Sequence, residues 1–208
     1  MPGGARPTTP AEAWAKLLRG NARFMSGQLA HPNQDVEYRA HLADAQAPFA
    51  AFFGCADSRV AAEMVFDQGL GDLFVIRTAG HVVDPAVLGS IEFAVTTLHT
   101  PLVVILGHDT CGAVKAAMNA IAGDGIPDGY VRDIVERVTP SVLAAFRSGR
   151  HSAEAVEAEH VRQTMHLINS RSRIVSDAIE AGRLGMVGAE YALNEGRASV
   201  IETLGPVT

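Results

Sequence analysis

Four short apolar segments constrain the fold of this chain more than any other feature. They cover residues 49–54, 73–77, 102–107 and 184–188, and glycine or proline bounds them. Each is too short for an ordinary helix, and runs that are apolar on both faces are typical of strands buried in a parallel sheet. Amphipathic helical patterns accompany them, at residues 60–68, 84–99, 112–122, 130–148 and 153–181. Alternating strands and helices predict an α/β fold with helices on both faces of the sheet.

The predicted architecture is one α/β domain spanning residues 1–208. Its central, mostly parallel sheet has about four parallel strands, and residues 191–201 are typical of a hairpin-like C-terminal edge strand. Residues 1–38 form an N-terminal helical arm with an amphipathic helix at 11–26, which packs either on its own core or on a neighbouring subunit. Residues 46–120 are the catalytic core segment, and residues 125–208 supply further helices and the C-terminal strands.

Three metal-binding side chains follow two of these strands. Cys55 comes directly after the first apolar segment, and His108 and Cys111 come directly after the third. Because ligands gather at the carboxyl ends of parallel strands, we expect one site built from two loops. Two thiols and an imidazole suit zinc, and three protein ligands leave the fourth position open, as in catalytic zinc sites. The alternative is a disulfide between Cys55 and Cys111, which a cytoplasmic address disfavours.

An acidic and a basic side chain adjoin the first ligand, at Asp57 and Arg59. In one alternative, Asp57 is the fourth ligand and closes the metal shell. In the other, Arg59 holds the Asp57 carboxylate off the metal in a two-pronged ion pair. Gly112 begins the next predicted helix, where its free N–H suits a small oxyanion. Equally, a glycine at that position lets helix and strand pack closely.

The charge of the chain argues against two classes of partner. The net charge is −6, and only Lys16 and Lys115 are lysines among 17 basic residues, so neither nucleic-acid binding nor polybasic membrane attachment is expected. No segment approaches the roughly 20 apolar residues of a membrane span. The first ten residues lack the apolar core of a signal peptide, so we expect a cytoplasmic protein.

The strings around these residues resemble the two signature segments of β-class carbonic anhydrases. They are F-F-G-C-A-D-S-R and L-G-H-D-T-C-G-A-V, and the similarity extends through F-V-I-R-T-A-G-H and V-L-G-S-I-E-F-A-V. The resemblance implies reversible hydration of CO₂ to bicarbonate and a proton by zinc-bound hydroxide, with one Zn²⁺ per chain. It also implies a homodimer or homotetramer whose N-terminal helix embraces the partner. By position, the zinc ligands are Cys55, His108 and Cys111, and the catalytic pair is Asp57 and Arg59.

The same resemblance implies three substrate-binding positions. Gln46 matches a glutamine that donates a hydrogen bond to substrate across the dimer interface, and Phe74 matches an apolar wall of the pocket. Gly112 matches the position whose backbone N–H meets bicarbonate. The proton released by the reaction needs a route to solvent, and His81 is a candidate shuttle because imidazole titrates near neutral pH.

One subgroup of the family has a non-catalytic bicarbonate site that switches the aspartate onto zinc. It uses a tryptophan where this chain has Phe52, although Arg77 matches that site's arginine, so we expect the always-accessible form. Three other functions remain open: hydrolysis of CS₂ or COS at the same centre, a non-catalytic zinc domain, and a cysteine-nucleophile enzyme.

Overall fold

Five strands form one sheet at the centre of the molecule, in a computed structural model that describes residues 5–207. The strand order is β2-β1-β3-β4-β5; the first four strands are parallel, and β5 is antiparallel to β4. The strands are β1 (Ala50–Cys55), β2 (Leu73–Thr78), β3 (Leu102–His108), β4 (Gly185–Ala192) and β5 (Arg197–Leu204). This architecture confirms the predicted α/β fold with four parallel strands and a C-terminal edge strand.

Eight α-helices and one 3₁₀ turn surround the sheet in the described part of the chain. They are α1 (Pro10–Ser26), α2 (Val36–His41), α3 (Ala62–Val65), the 3₁₀ turn (Ala79–His81), α4 (Pro85–Thr96), α5 (Gly112–Ala122), α6 (Val131–Arg147), α7 (Ala153–Arg171) and α8 (Arg173–Glu180). None of the helices within residues 5–207 combines the length and the apolar character needed to cross a membrane.

The side-chain alternation of the buried strands divides the core between two faces of the sheet. On β3, Leu102, Val104 and Leu106 pack with α1 and α3, whereas Val103 and Ile105 pack with α4, α7 and α8. Successive residues of a strand point to opposite faces, so a strand buried on both sides is apolar throughout. A third apolar cluster lies where α5, α6 and the start of α7 meet the two cysteines.

Three predicted elements differ from the observed ones. The helix predicted at 60–68 is only the single turn of α3. The helix predicted at 153–181 is broken at Ser172, whose extended backbone ends α7 and whose hydroxyl caps α8 by accepting the Val175 N–H. The strand predicted at 184–188 continues through residue 192, with a β-bulge between Gly188 and Ala189. Helical and strand periodicity alone do not reveal such a break or bulge.

The N-terminal helix packs on its own core, which was one of the two alternatives for it. Ala13, Trp14 and Leu17 are buried, and the Trp14 ring meets the edge of Phe66 at 6.3 Å between centroids. The buried face of α1 therefore belongs to the core of its own chain, whereas Leu18 and Met25 on the same helix are exposed. The embrace of a partner by this helix, which the resemblance implied, stays a prediction. Residues 1–4 of the predicted arm, and residue 208, lie outside the described part.

A buried aspartate joins this arm to the body of the domain. The Asp67 carboxylate accepts the backbone N–H groups of Ala30 at 2.9 Å and His31 at 3.0 Å, and it forms an ion pair with Arg23. Burial alone would raise the pKa of Asp67, but these donors outweigh it and lower the pKa below its ordinary value. The ionised carboxylate therefore stabilises the folded state.

Candidate metal centre

The structure brings the three predicted ligands together at the carboxyl edge of the sheet. Cys55 ends β1, His108 ends the neighbouring strand β3, and Cys111 is the N-cap of α5. One ligand atom from each of the three lies within 4.8 Å of the others. All three residues are buried, and Cys55, the most exposed of them, has 7% of its surface accessible. Soft ligands held this close together and out of water form a ready site for a metal ion.

The orientation of the His108 ring suits metal binding through one nitrogen. Its Nδ1 lies 2.8 Å from the Asp109 carbonyl oxygen and donates to it, since a carbonyl only accepts. Its Nε2 is buried and has no hydrogen-bond partner among residues 5–207. An imidazole that donates from one nitrogen to a backbone carbonyl and keeps the other free is the usual form of a metal-binding histidine.

The two cysteines are free thiols, so the disulfide alternative is wrong. A hydrogen bond from Cys111 lowers the pKa of Cys55, and the Gly80 N–H, 3.3 Å from the Cys55 sulfur, acts in the same direction. The Cys55 sulfur in turn raises the pKa of Cys111, and burial raises it further. Without a cation the pair keeps a proton, and a divalent ion that binds both sulfurs displaces it.

Arg59 holds the carboxylate of Asp57 apart from the three ligands. The Arg59 Nε donates to one carboxylate oxygen at 2.9 Å and Nη2 to the other at 2.7 Å, while the Arg59 backbone N–H adds a third bond of 2.9 Å. These bonds, the side-chain ones foremost, hold the pKa of Asp57 far below its ordinary value. Asp57 is therefore held by Arg59 in a two-pronged ion pair, as in the second alternative, and it does not belong to the ligand cluster.

A second arginine fixes the loop that carries this pair. Arg77 on β2 donates from Nε to the Cys55 carbonyl at 2.9 Å and from Nη2 to the Asp57 carbonyl. Its guanidinium thus binds backbone carbonyls on both sides of Ala56. This contact ties the edge strand to the metal loop.

Gly112 lies at the first position of α5 and is exposed. A Cβ built there would meet no heavy atom of the described residues within 4 Å. Close packing of helix and strand is therefore not the reason for a glycine at this position. Its N–H belongs to the first turn, where backbone donors lack intrahelical acceptors and attract anions.

A family model described as carbonic anhydrase matches residues 50–198 of this chain. The chain belongs to the carbonic anhydrase family. It is 54% identical over 200 residues to "Carbonic anhydrase 2" of Mycobacterium tuberculosis, a match that covers 96% of this chain and 97% of that protein. Its fold is similar to that of a Coccomyxa β-carbonic anhydrase in complex with acetazolamide, at 25% identity and a TM-score of 0.70, over 90% of this chain and 86% of that one. The fold is also similar to that of a tetrameric β-carbonic anhydrase from Sordaria macrospora, at 22% identity and a TM-score of 0.71, over 91% of this chain and 96% of that one.

Two substrate-binding positions implied by the carbonic anhydrase resemblance lie far from the ligand cluster of their own chain. Gln46 is exposed and precedes the start of β1, whereas Cys55 is at its end, so the length of the strand, roughly 16 Å, separates them. Phe74 pairs in register with Ala51, roughly 13 Å along the sheet from Cys55. The Phe74 ring contacts the Phe93 ring at 6.0 Å instead.

The structure contradicts the proton-shuttle role predicted for His81. Only 2% of this residue is exposed, and its ring lies edge-on to Phe53 and 4.3 Å from the His160 ring. Burial, with smaller contributions from His160 and His108, holds the pKa of His81 well below its ordinary value. A neutral imidazole without solvent contact does not exchange protons with bulk water.

Two buried polar residues beside the centre were missed by the sequence analysis, Glu157 and His160 on α7. Burial raises the pKa of Glu157 to about 7. The available sequence signal was two polar residues, three apart, on a helix face that also carries Val156, Val161 and Thr164. A polar residue on an apolar face is costly unless a specific partner satisfies it.

Proposed function

We propose that this chain catalyses the reversible hydration of CO₂ to bicarbonate and a proton, with one Zn²⁺ held by Cys55, His108 and Cys111. Membership of the carbonic anhydrase family supports the reaction. The observation that carries the metal site is the buried cluster of two sulfurs and an imidazole nitrogen that lacks a partner. Two thiols and an imidazole fit zinc and disfavour magnesium or calcium.

Held by these three residues, zinc would supply Lewis acidity to a water molecule at its open position. Two thiolate ligands would offset the charge of the ion, so the pKa of that water would lie above the ~7 of a three-histidine site. The protein supplies orientation. The Asp57 carboxylate, kept ionised and off the ligand cluster by Arg59, accepts a hydrogen bond from the attacking oxygen. The Gly112 N–H donates to a product oxyanion.

We propose that the site is always accessible and lacks a bicarbonate switch. Phe52 stands in place of the tryptophan of the switched subgroup, and it is buried in the core beside Phe66. Arg77 is engaged by two backbone carbonyls of the metal loop. The Arg59 pair keeps Asp57 away from the three ligands. These contacts favour one open arrangement of the centre.

We further propose that the working unit contains at least a homodimer in which a second copy brings Gln46 and Phe74 to the centre. Neither residue reaches the cluster of its own chain. Strand β2 forms an edge of the sheet, and its residues Leu73–Ile76 are apolar and only half-buried. Such an edge is a template for pairing with another chain. The tetrameric relative from Sordaria macrospora supports assembly beyond one chain.

We also propose a cytoplasmic location. The two cysteines are thiols that share one metal site. Thiols of this kind persist where the surroundings are reducing.

The decisive experiment is stopped-flow hydration of CO₂ by zinc-loaded protein, near pH 7.5 and again near pH 8.5, a range set by the expected pKa of the zinc-bound water. Fast hydration that rises with pH is expected. No hydration with zinc bound would contradict the proposed reaction, and turnover of CS₂ or COS would then identify a related hydrolase. A rate that falls with rising pH would contradict the proposed ionisation.

A further inference from the structure

Helix α7 presents two polar side chains to the interior, where burial makes each one costly. Glu157 is 2% exposed and His160 is 4% exposed. Residues three apart on a helix lie on one face, and this face points toward the metal centre. The helix can approach because Gly107 and Gly188 have no side chain: a Cβ at Gly107 would lie 2.6 Å from Val161, and one at Gly188 would lie 2.3 Å from Met165.

Glu157 is bonded to the backbone of one cysteine ligand. Its Oε1 accepts the Cys111 N–H at 2.9 Å. Cys111 is the N-cap of α5, and its side chain makes no capping bond within the described structure. The Glu157 side chain thus supplies an acceptor at the start of this helix, where backbone N–H groups lack intrahelical partners. It holds the Cys111 backbone in the conformation that directs the sulfur into the cluster.

His160 acts on the other cysteine through one glycine. Its Nε2 donates to the Gly80 carbonyl oxygen at 2.9 Å, and the Gly80 N–H lies 3.3 Å from the Cys55 sulfur. Gly80 has φ 63°, so its two peptide groups are held in a left-handed turn. On the far side of the ring, His160 Nδ1 lies 2.9 Å from the Ser141 hydroxyl oxygen. Fixing the Gly80 carbonyl keeps its N–H directed at the sulfur.

We propose that Glu157 and His160 are positioning residues for the metal centre, each orienting one of its two cysteine ligands. This inference rests on the proposed metal site. Hydrogen bonds to ligand residues orient the ligand atoms and adjust how strongly they donate to the metal. One helix from the C-terminal half of the chain therefore sets the geometry of ligands that come from two separate strand ends. The consequence is measurable as metal affinity, apart from turnover.

The test compares four variants and a control. Glu157→Met and His160→Leu remove the hydrogen bonds at similar side-chain volume. Glu157→Gln keeps an acceptor, and His160→Gln keeps a donor near the Nε2 position. Thr164→Val is the control, since Thr164 is 2% exposed and lies on the same helix. Zinc affinity is measured by competition with a chromogenic chelator, thiolate ligation by the charge-transfer absorption of Co²⁺-loaded protein, and stability by urea unfolding of metal-free protein.

Glu157→Met and His160→Leu are expected to bind zinc about 10- to 100-fold more weakly and to shift the Co²⁺ absorption. Glu157→Gln, His160→Gln and Thr164→Val are expected to remain within about threefold of the wild type. Wild-type affinity in Glu157→Met and His160→Leu, with only the metal-free stability reduced, would overturn the positioning role. So would an equal loss in Glu157→Gln and Glu157→Met, because the acceptor would then not matter.

A wild-type protein that takes up no zinc would instead overturn the proposed metal site, so the two failures are distinguishable. Amide hydrogen exchange in folded, zinc-loaded wild type provides a measurement that needs no variant. The N–H groups of Cys111 and Gly80 are expected to exchange slowly, because both are buried and bonded. Exchange as fast as at exposed loop amides would overturn the proposed contacts even if the Met and Leu variants do not fold.

Discussion

Replacing Gly80 by alanine is expected to disturb both the fold and the metal centre. Gly80 has φ 63°, a backbone conformation that costs an L-residue about 1–2 kcal/mol. A Cβ there would also lie 2.5 Å from the Ala113 Cβ. Ala113 lies in the first turn of α5, two residues after Cys111, and its Cβ has no rotatable bond with which to withdraw. The clash therefore pushes the turn that donates to Cys55 away from the helix that carries Cys111.

The magnitude follows from these two contributions. Overpacking a tight contact costs about 1–3 kcal/mol, so Gly80→Ala should lose about 2–5 kcal/mol of unfolding free energy in total. Gly182→Ala is the matched control, because Gly182 has φ 69° and a Cβ there meets no described atom within 4 Å. That control should lose only the backbone part, about 1–2 kcal/mol.

Urea unfolding of the metal-free forms measures these losses, and chelator competition measures zinc affinity. The double variant Gly80→Ala with Ala113→Gly removes the clashing atom, so part of the steric loss should be recovered as a coupling energy between the two sites. Zinc affinity of Gly80→Ala should fall, whereas that of Gly182→Ala should not. If Gly80→Ala and Gly182→Ala lost the same unfolding free energy, with no coupling to Ala113, the contact between positions 80 and 113 would not be the cause of the loss.

Three further predictions concern the site and its support. Asp57→Asn should keep zinc, because Asp57 lies outside the ligand cluster, but should lose about 100-fold in stopped-flow CO₂ hydration; a wild-type rate would contradict its proposed role. His108→Ala should lose zinc, seen by metal analysis after dialysis, and activity with it; retained zinc would show that His108 is not a ligand. Asp67→Asn should lose about 1–3 kcal/mol of unfolding free energy near pH 7, because two buried backbone N–H groups lose a charged acceptor. Since the folded pKa of Asp67 is lowered, its contribution is fully present above the ordinary aspartate pKa near ~4 and is lost as the pH falls through the folded value. Urea unfolding of both proteins at several pH values should therefore give a difference that shrinks below pH ~4, and a constant difference would contradict the assignment.

Local pattern was sufficient to predict the sheet and the ligand cluster. Short runs that are apolar on both faces and bounded by glycine or proline are typical of buried strands, and strands that alternate with helices usually run parallel. Because Cys55 and His108 each end such a strand, neighbouring positions in the sheet bring them together without any knowledge of side-chain packing. The pair of Asp57 and Arg59 is equally local, since two residues in one loop can meet without help from the rest of the fold.

Other features depended on which faces of distant elements meet, and periodicity does not encode that. The sequence alone did not reveal that α7 brings Glu157 and His160 against the cysteines, since the contacts span 46 and 80 residues of chain. Nor did it reveal that His81, in an irregular turn, is buried against His160. The chain order of residues determined the elements and the strand ends that carry ligands. Only the close approach of α7 to the sheet, permitted by glycines on β3 and β4, decided what surrounds those ligands, because packing between distant segments depends on shape in three dimensions.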